Sequence, residues 1–375
     1  MSSAVETLAA MSDKKKHTYC VIMAGGIGSR FWPMSRTAYP KQFLDFLGLG
    51  RTLIQQTFDR FTSICPPENI LVVTNAQYAS IVKEQLPLLK DEQILREPSR
   101  RNTAPCVAYA NHVIAKKDPN ARIIVAPSDH LVMKGSDFHA TINIALKQAE
   151  SSDCLVTLGI KPSRPDTGYG YIQFADAMDS ADPHVKKVAS FREKPDHATA
   201  IKFMESGEFL WNSGIFIWTL KSIRNAFAQH LPAMEEQFNA GAPAYGTSDE
   251  ARFITDTYAN CESISIDYGV MEKAKNVFVI PSEFGWSDLG TWGSLYTHMA
   301  KDANGNATVG DDVMLYDCSN NMVHMHDGRL AVLQGIDDLI VVSTPDALLV
   351  CRKHDEQKIK QFVADATAKW GEKYV

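Results

Sequence analysis

The sequence predicts an α/β protein: a doubly wound sheet over most of the chain, with a small β-rich module after it. Three observations carry this. Short apolar, β-branched runs alternate with helix-periodic stretches through the first half. A glycine-rich turn follows the first of those runs. After Lys301 the helical texture gives way to short strands broken by Asn320-Asn321, Asp327-Gly328 and Thr344-Pro345.

Taken in order, residues 19–23 read as a buried first strand, and residues 70–74, 122–126 and 155–159 as further strands. Helical patterns lie between them at residues 77–88, 103–115 and 140–149. Strand–helix alternation implies parallel pairing, and ligands of such sheets bind at the carboxyl ends of the strands. The loops after Met23, Thr74, Ala126 and Gly159 are therefore expected to converge on one cleft. Residues 188–191 form another apolar run, and residues 244–256, small and polar, read as a loop. Residues 302–308 form a turn-rich linker. The module that follows ends in a helix with Ile359, Phe362, Val363 and Ala366 on one face. The expected division is a disordered tail (1–16), a large domain (17–301) and a C-terminal module (302–375). No strict internal repeat is visible.

The 375 residues are 45% apolar and 22% charged, enough for a sizeable core. A net charge of −6 argues against a nucleic-acid platform. An anionic ligand must then be met by local cations. The seven cysteines are scattered singly with no CxxC, as expected of reduced core residues in a cytoplasmic protein. Residues 1–16 are polar, end in three lysines and lack a signal-peptide core, and Met11 is a second potential start. No apolar run reaches membrane-spanning length. The oligomeric state stays open, with a homodimer among the options.

The stretch 23–47, MAGGIGSRFWPMSRTAYPKQFLDFL, is the most informative. Gly25, Gly26 and Gly28 let the backbone after Ala24 turn tightly, and the N–H groups of such a turn, Ser29 included, form an anion nest. Arg30 and Lys41 add two cations. A dinucleotide fingerprint would need glycine at Phe31, and a P-loop would need glycine at Arg30 and lysine at Phe31. What remains, GGxGxR followed by PKQ, resembles the signature of the sugar-1-phosphate nucleotidyltransferases. With Phe31-Trp32-Pro33, Ser35-Arg36 and Pro40-Lys41-Gln42-Phe43-Leu44 it is similar to the branch that uses GTP and mannose 1-phosphate. The resemblance implies a Rossmann-like doubly wound mixed sheet over 17–301 and a β-helix-like C-terminal segment. Some relatives add a phosphomannose isomerase domain; with the chain ending at Val375, no isomerase activity is expected.

The implied reaction joins two polyanions. A phosphate nucleophile with a second pKa of about 6 is largely ionised at neutral pH and needs no general base. Catalysis should rest on positioning and charge shielding by cations, amides and a divalent metal, Mg²⁺ or Mn²⁺. Asp129, in Pro127-Ser128-Asp129-His130, follows a strand, and its bland alternative is a turn cap. The resemblance assigns Asp129 to the metal, with Asp288 of Phe284-Gly285-Trp286-Ser287-Asp288 as second ligand and Ser128 beside the nucleotide. It likewise implies that Lys194 of Glu193-Lys194-Pro195 pairs with the sugar phosphate and that Glu193 accepts sugar hydroxyls. Asn212 can both donate to and accept from a hydroxylated ring. The resemblance further implies that Gly168 and Tyr169 pack on the sugar, with a β-hairpin as the plain alternative. Guanine presents N1–H and an exocyclic amine, which ask for an acceptor pair. Glu97 is the candidate, with backbone carbonyls as the alternative. Asn102 and Thr103, in a string resembling the guanylyl branch, are nucleotide candidates, and Asn102 is equally suited to cap the next helix. Another nucleotide or sugar phosphate, or a silent nucleotide-sugar sensor, is the competing reading. His324 and His326 alternate as on one strand face, too few for a closed zinc site. Asp337-Asp338 reads as a solvated turn.

Overall fold

The computed structural model describes residues 14–176, 182–326 and 328–375. Its contacts divide the chain into two compact units. The first comprises Met1–Gly25, Thr57–Ser128 and Val132–Trp286, and the second Gly26–Gln56, Asp129–Leu131 and Ser287–Val375. Most of the expected tail, residues 1–13, lies outside the described residues. Residues 14–16 form a helical turn rather than a loose end, and Lys14 pairs with Glu150 at 2.7 Å.

The first unit is built on a nine-stranded sheet. Its strands are β1 (Thr18–Ala24), β2 (Ile70–Asn75), β3 (Ile94–Glu97), β4 (Arg122–Pro127), β6 (Leu155–Ile160), β7 (Tyr171–Asp176), β8 (Lys186–Arg192), β9 (Phe209–Thr219) and β10 (Val277–Ser282), in the order β3-β2-β1-β4-β9-β6-β10-β8-β7. A two-residue strand β5 (Leu131–Val132) and its counterpart β11 (Trp286–Ser287) complete the numbering here. β1 to β4 pair in parallel, as the alternation predicts. β9 runs antiparallel to both β4 and β6, and β8 is antiparallel to β10, so the sheet is mixed rather than parallel throughout.

The central strands read as unbroken apolar runs because both faces are covered. Tyr19, Val21, Leu71, Val73, Ile123 and Val125 pack with the helix Thr103–Lys117 and with Phe227, Phe238 and Tyr258 of later helices. Residues of opposite parity, Cys20, Ile22, Ile70, Val72 and Ile124, are equally buried. All seven cysteines are free thiols, and all but Cys351 are buried.

Three helix expectations shift. The first is preceded by a 3₁₀ turn, Ala76–Tyr78, before the helix Ala79–Gln85. Thr103–Lys117 and Gly135–Ser151 run longer than predicted. The expected loop 244–256 holds the start of a helix, Glu250–Asn260, because Ile254, Thr257 and Tyr258 fall on one face and bury there.

The second unit contains a short β-coil. β12 (Ala307–Val309), β14 (Met322–His324), β16 (Leu339–Ser343) and β17 (Leu348–Arg352) form one sheet. β13 (Val313–Tyr316) and β15 (Ala331–Gln334) form the other. β12, β14 and β16 pair in parallel, and only β17 turns back. The module is β-helix-like, as the resemblance implies, although the sequence shows no strict repeat. It is marked by two buried asparagines: Asn306 Oδ1 accepts from the side chain of Asn321 at 2.9 Å, and Asn321 Oδ1 accepts from Leu339 N at 2.9 Å. The Asp337-Asp338 side chains are solvent-exposed, as expected, and also bonded: Ser319 donates to Asp337 and Lys353 pairs with Asp338. His324 ends β14 and is buried beside Trp292, whereas His326 lies beyond the strand and is exposed, so the two share no strand face. The helix Ile359–Trp370, with Ile359 buried, is followed by a 3₁₀ turn, Gly371–Tyr374.

Candidate functional site

In the second unit the glycine-rich turn leads into Arg30 and Lys41. Gly28 has φ 68°, a left-handed conformation that suits glycine, and a Cβ there would lie 2.5 Å from Lys41 Cβ. Gly26 has open space around it, and Ser29 and Arg30 begin a short 3₁₀ turn. Ser35 Oγ donates to Ile27 O at 2.6 Å and pins the loop.

Lys41 is buried, 5% exposed, and its ammonium donates to Asp288 O at 2.8 Å and Leu289 O at 3.0 Å, and sits 2.9 Å from Asp129 Oδ2. Its three N–H groups are thereby committed, which the sequence reading of Lys41 as a cation facing the nucleotide did not anticipate. Arg30 is the contrasting case: its Nε is buried with no hydrogen-bond partner. Burial works to raise the Asp129 carboxyl pKa, but the Lys41 charge, helped by His130, outweighs it and holds the carboxyl below its ordinary value.

These oxygens suit a hard divalent cation. The Lys41 ammonium already occupies a cradle of one carboxylate oxygen and two carbonyl oxygens. Among the described residues no three His, Cys, Asp or Glu side chains converge, so the protein offers the Asp129 and Asp288 carboxylates at most. Asp288 Oδ1 accepts from Gly290 N at 3.0 Å, and a side chain at Gly290 would strike that carboxylate.

The first unit holds the other candidates in two groups. Glu97, at the end of β3, is buried and accepts from the Tyr258 hydroxyl at 2.9 Å. Burial pushes its carboxyl up to about 7, against the pull of that hydrogen bond. A Cβ on Gly25 would come within 3.7 Å of Glu97 Oε2, so the start of the glycine turn lies against it. Ala24 O accepts from Thr74 Oγ1, and Ser128 N donates to Met23 O, which locks the ends of β1 and β4. Asn102 caps the helix Thr103–Lys117, accepting from Thr103 N, and Thr103 Oγ1 accepts from Ile266 N at 2.9 Å. Both side chains thus have structural work.

The second group surrounds Asn212. The pairing of β6 with β9 shifts register between Thr157 and Gly159, opposite Asn212, and Gly214 takes φ 70° there. Asn212 Nδ2 donates to Asp267 Oδ1 at 2.8 Å, and its Oδ1 accepts from Gly214 N and Thr157 Oγ1, each at 3.2 Å. Thr157 Oγ1 also lies 3.1 Å from Ile215 O and has one proton to give, so Asn212 keeps a free donor while its acceptor is engaged by Gly214 N. Lys194 donates to Glu193 Oε1 at 2.6 Å and has φ 45°. Glu193 lies over Gly170, where a Cβ would be 2.3 Å from Oε2. Gly168 and Gly170 lead into β7 rather than forming a hairpin turn. Tyr169 packs edge-on against Trp211 and Trp286, and Arg164 covers Tyr169 and Trp211.

Asp267 was missed by sequence reasoning; its partner Asn212 is 55 residues away. Burial and then the Glu193 charge push its carboxyl up to about 7, while its own backbone amide, Asn212 and Lys194 pull the other way. A cleft of about 870 Å³ elsewhere in the first unit, lined by Arg96, Tyr109, Lys116 and Glu250, contains none of the candidates.

Residues 19–305 match the family described as nucleotidyl transferase, and residues 311–365 the MannoseP isomerase/GMP-like beta-helix domain. The chain is 40% identical over 352 residues to a mannose-1-phosphate guanylyltransferase of Salmonella montevideo, covering 92% of this chain and 72% of that protein. It is 39% identical over 360 residues to the alginate biosynthesis protein AlgA of Pseudomonas aeruginosa, with 93% and 72% covered. Among solved structures, a Thermus thermophilus protein named mannose-1-phosphate geranyltransferase superposes with a TM-score of 0.83 at 31% identity, covering 93% of this chain and 99% of that one. No helix among the described residues is long and apolar enough to cross a membrane.

Proposed function

The chain belongs to the nucleotidyl transferase family, and from that premise we propose that it is a mannose-1-phosphate guanylyltransferase. The reaction joins a phosphate oxygen of mannose 1-phosphate to the α-phosphorus of GTP; the bond to the β-phosphate oxygen breaks and pyrophosphate leaves. The match to a relative of that name along nearly the whole chain carries the reading.

The residues divide the work. The N–H groups of Gly26, Gly28 and Ser29 receive phosphate oxygens, and Arg30, whose buried Nε lacks a partner, supplies the charge beside them. Lys41 acts through Asp129, which it holds ionised and tied to the turn at Asp288. Asp129 and Asp288 would bind Mg²⁺ or Mn²⁺, with phosphates and water filling the shell. When bound, that ion neutralises charge as the two phosphates meet. Glu97 as carboxylate accepts from guanine N1–H and the exocyclic amine, with the Tyr258 hydroxyl fixing its orientation. Lys194 receives the sugar phosphate, and Glu193 and the free Asn212 donor face the sugar hydroxyls. No general base is required. The reduced thiols fit a cytoplasmic setting.

Pyrophosphate release should require GTP, mannose 1-phosphate and the divalent cation together, and should fall by roughly 100-fold or more with ATP, UTP or dTTP. Asp129→Ala and Asp288→Ala should abolish turnover. Nucleotide-sugar binding without any pyrophosphate release would instead favour a sensor.

A further inference from the structure

We propose that Asp267 recognises the sugar: one carboxylate oxygen fixes the Asn212 amide as a donor, and the other accepts a hydroxyl of the bound pyranose. The proposal rests on reading Glu193, Lys194 and Asn212 as the sugar-phosphate site.

The geometry narrows the choice. A polyhydroxylated ring needs both donors and acceptors around it. The Asn212 carbonyl oxygen is already engaged by Gly214 N and lies beside the Thr157 hydroxyl, whose one proton it shares with Ile215 O, so the group Asn212 has to offer is a donor. Glu193 supplies one acceptor set but shares it with Lys194. Asp267 Oδ1 takes the Asn212 amide, and no other side-chain hydrogen bond to Asp267 is present among the described residues. Apart from its own backbone amide, the carboxylate is thereby left to accept from a ligand that also meets the remaining Asn212 N–H.

The protein also holds Asp267 there against a cost. Burial and Glu193 both disfavour its charge. Two acidic side chains kept close in a partly buried site, where a neutral residue would relieve the repulsion, indicate a need for both acceptors. The backbone supports the placement. Asp267 opens a single π-helical turn, Asp267–Met271, a feature frequent at functional sites. Thr103 Oγ1 anchors its N-terminal side through Ile266 N. Gly269 lets the turn press on Leu231, where a Cβ would meet Leu231 Cδ1 at 2.8 Å.

Asp267→Asn keeps the shape and the bond to Asn212 but turns the second oxygen into a donor. Its KM for mannose 1-phosphate should rise roughly ten-fold or more, with the KM for GTP within about two-fold of wild type. The decisive measurement pairs the variant with 2-, 3-, 4- and 6-deoxy mannose 1-phosphates. At one position wild type should lose about ten-fold in kcat/KM, while Asp267→Asn loses less than about two-fold further, as a residue and hydroxyl in contact must. Asp267→Glu, which keeps the charge but moves the oxygens by a methylene, should show the same coupled loss and serves if the first variant does not fold. Equal deoxy penalties in wild type and variants would make Asp267 only a prop for Asn212 and overturn the proposal. If Lys194→Ala and Glu193→Gln also leave mannose 1-phosphate use unchanged, the sugar-site reading itself falls.

Discussion

Glu97 shows what one buried carboxylate costs and gives. Its carboxyl sits at about 7 in the fold against an ordinary 4.5. The folded state therefore binds the proton more tightly than the unfolded one. Stability is unaffected below about pH 4.5, is lost as the pH climbs to about 7, and stays lower above it, by roughly 3 kcal/mol at most. Glu97→Gln should thus melt higher than wild type at about pH 8 and alike near pH 4.5, as thermal unfolding at the two pH values would show. The same variant should use GTP less well and narrow the GTP/ATP preference in kcat/KM, because a donor replaces one of two acceptors. An unchanged preference would move base reading to backbone groups near Asn102. Lys194→Ala should chiefly raise the KM for mannose 1-phosphate, by roughly ten- to over a hundred-fold for one charged hydrogen bond. An effect confined to GTP would reverse that assignment.

At the scale of elements, the glycine turn and the β-coil invite direct tests. Gly28→Ala adds a Cβ in a left-handed backbone, worth roughly 1–2 kcal/mol, and drives it into Lys41. The strain is local, so turnover should fall far more than the melting temperature. Equal loss of both would mean that the turn is structural. Asn321→Ala leaves Leu339 N without its partner, whereas Ile336 O keeps Ser319 N and Asn306 Oδ1 keeps the backbone N–H of residue 321. At roughly 1–3 kcal/mol for one group left unpaired, chemical denaturation should show a loss of about that size. Elements also mark where sequence was readable. β1, β2 and β4 were legible because burial on both faces makes them continuous apolar runs. The helix Glu250–Asn260 was hidden by small polar neighbours, although Ile254 and Tyr258 carried its period. The Asn212–Asp267 bond had no local signature at all.

Across the whole molecule, the motif residues were readable in order along the chain, but the compact units were not. The second unit gathers a loop after β1, three residues after β4 and the C-terminal segment, and a linear reading cannot join such pieces. Nor does spacing reveal that β9 inserts antiparallel between β4 and β6. The coil is the part whose logic is simplest once seen. Asn306 and Asn321 occupy equivalent corners, one rung apart, each passing its hydrogen bonds to the next. Change there is quantised: removing a full rung keeps every corner in step, whereas deleting a single residue throws all later corners out of phase. The natural unit of variation in this module is therefore the turn of the solenoid, and length differences among its relatives should come in whole turns.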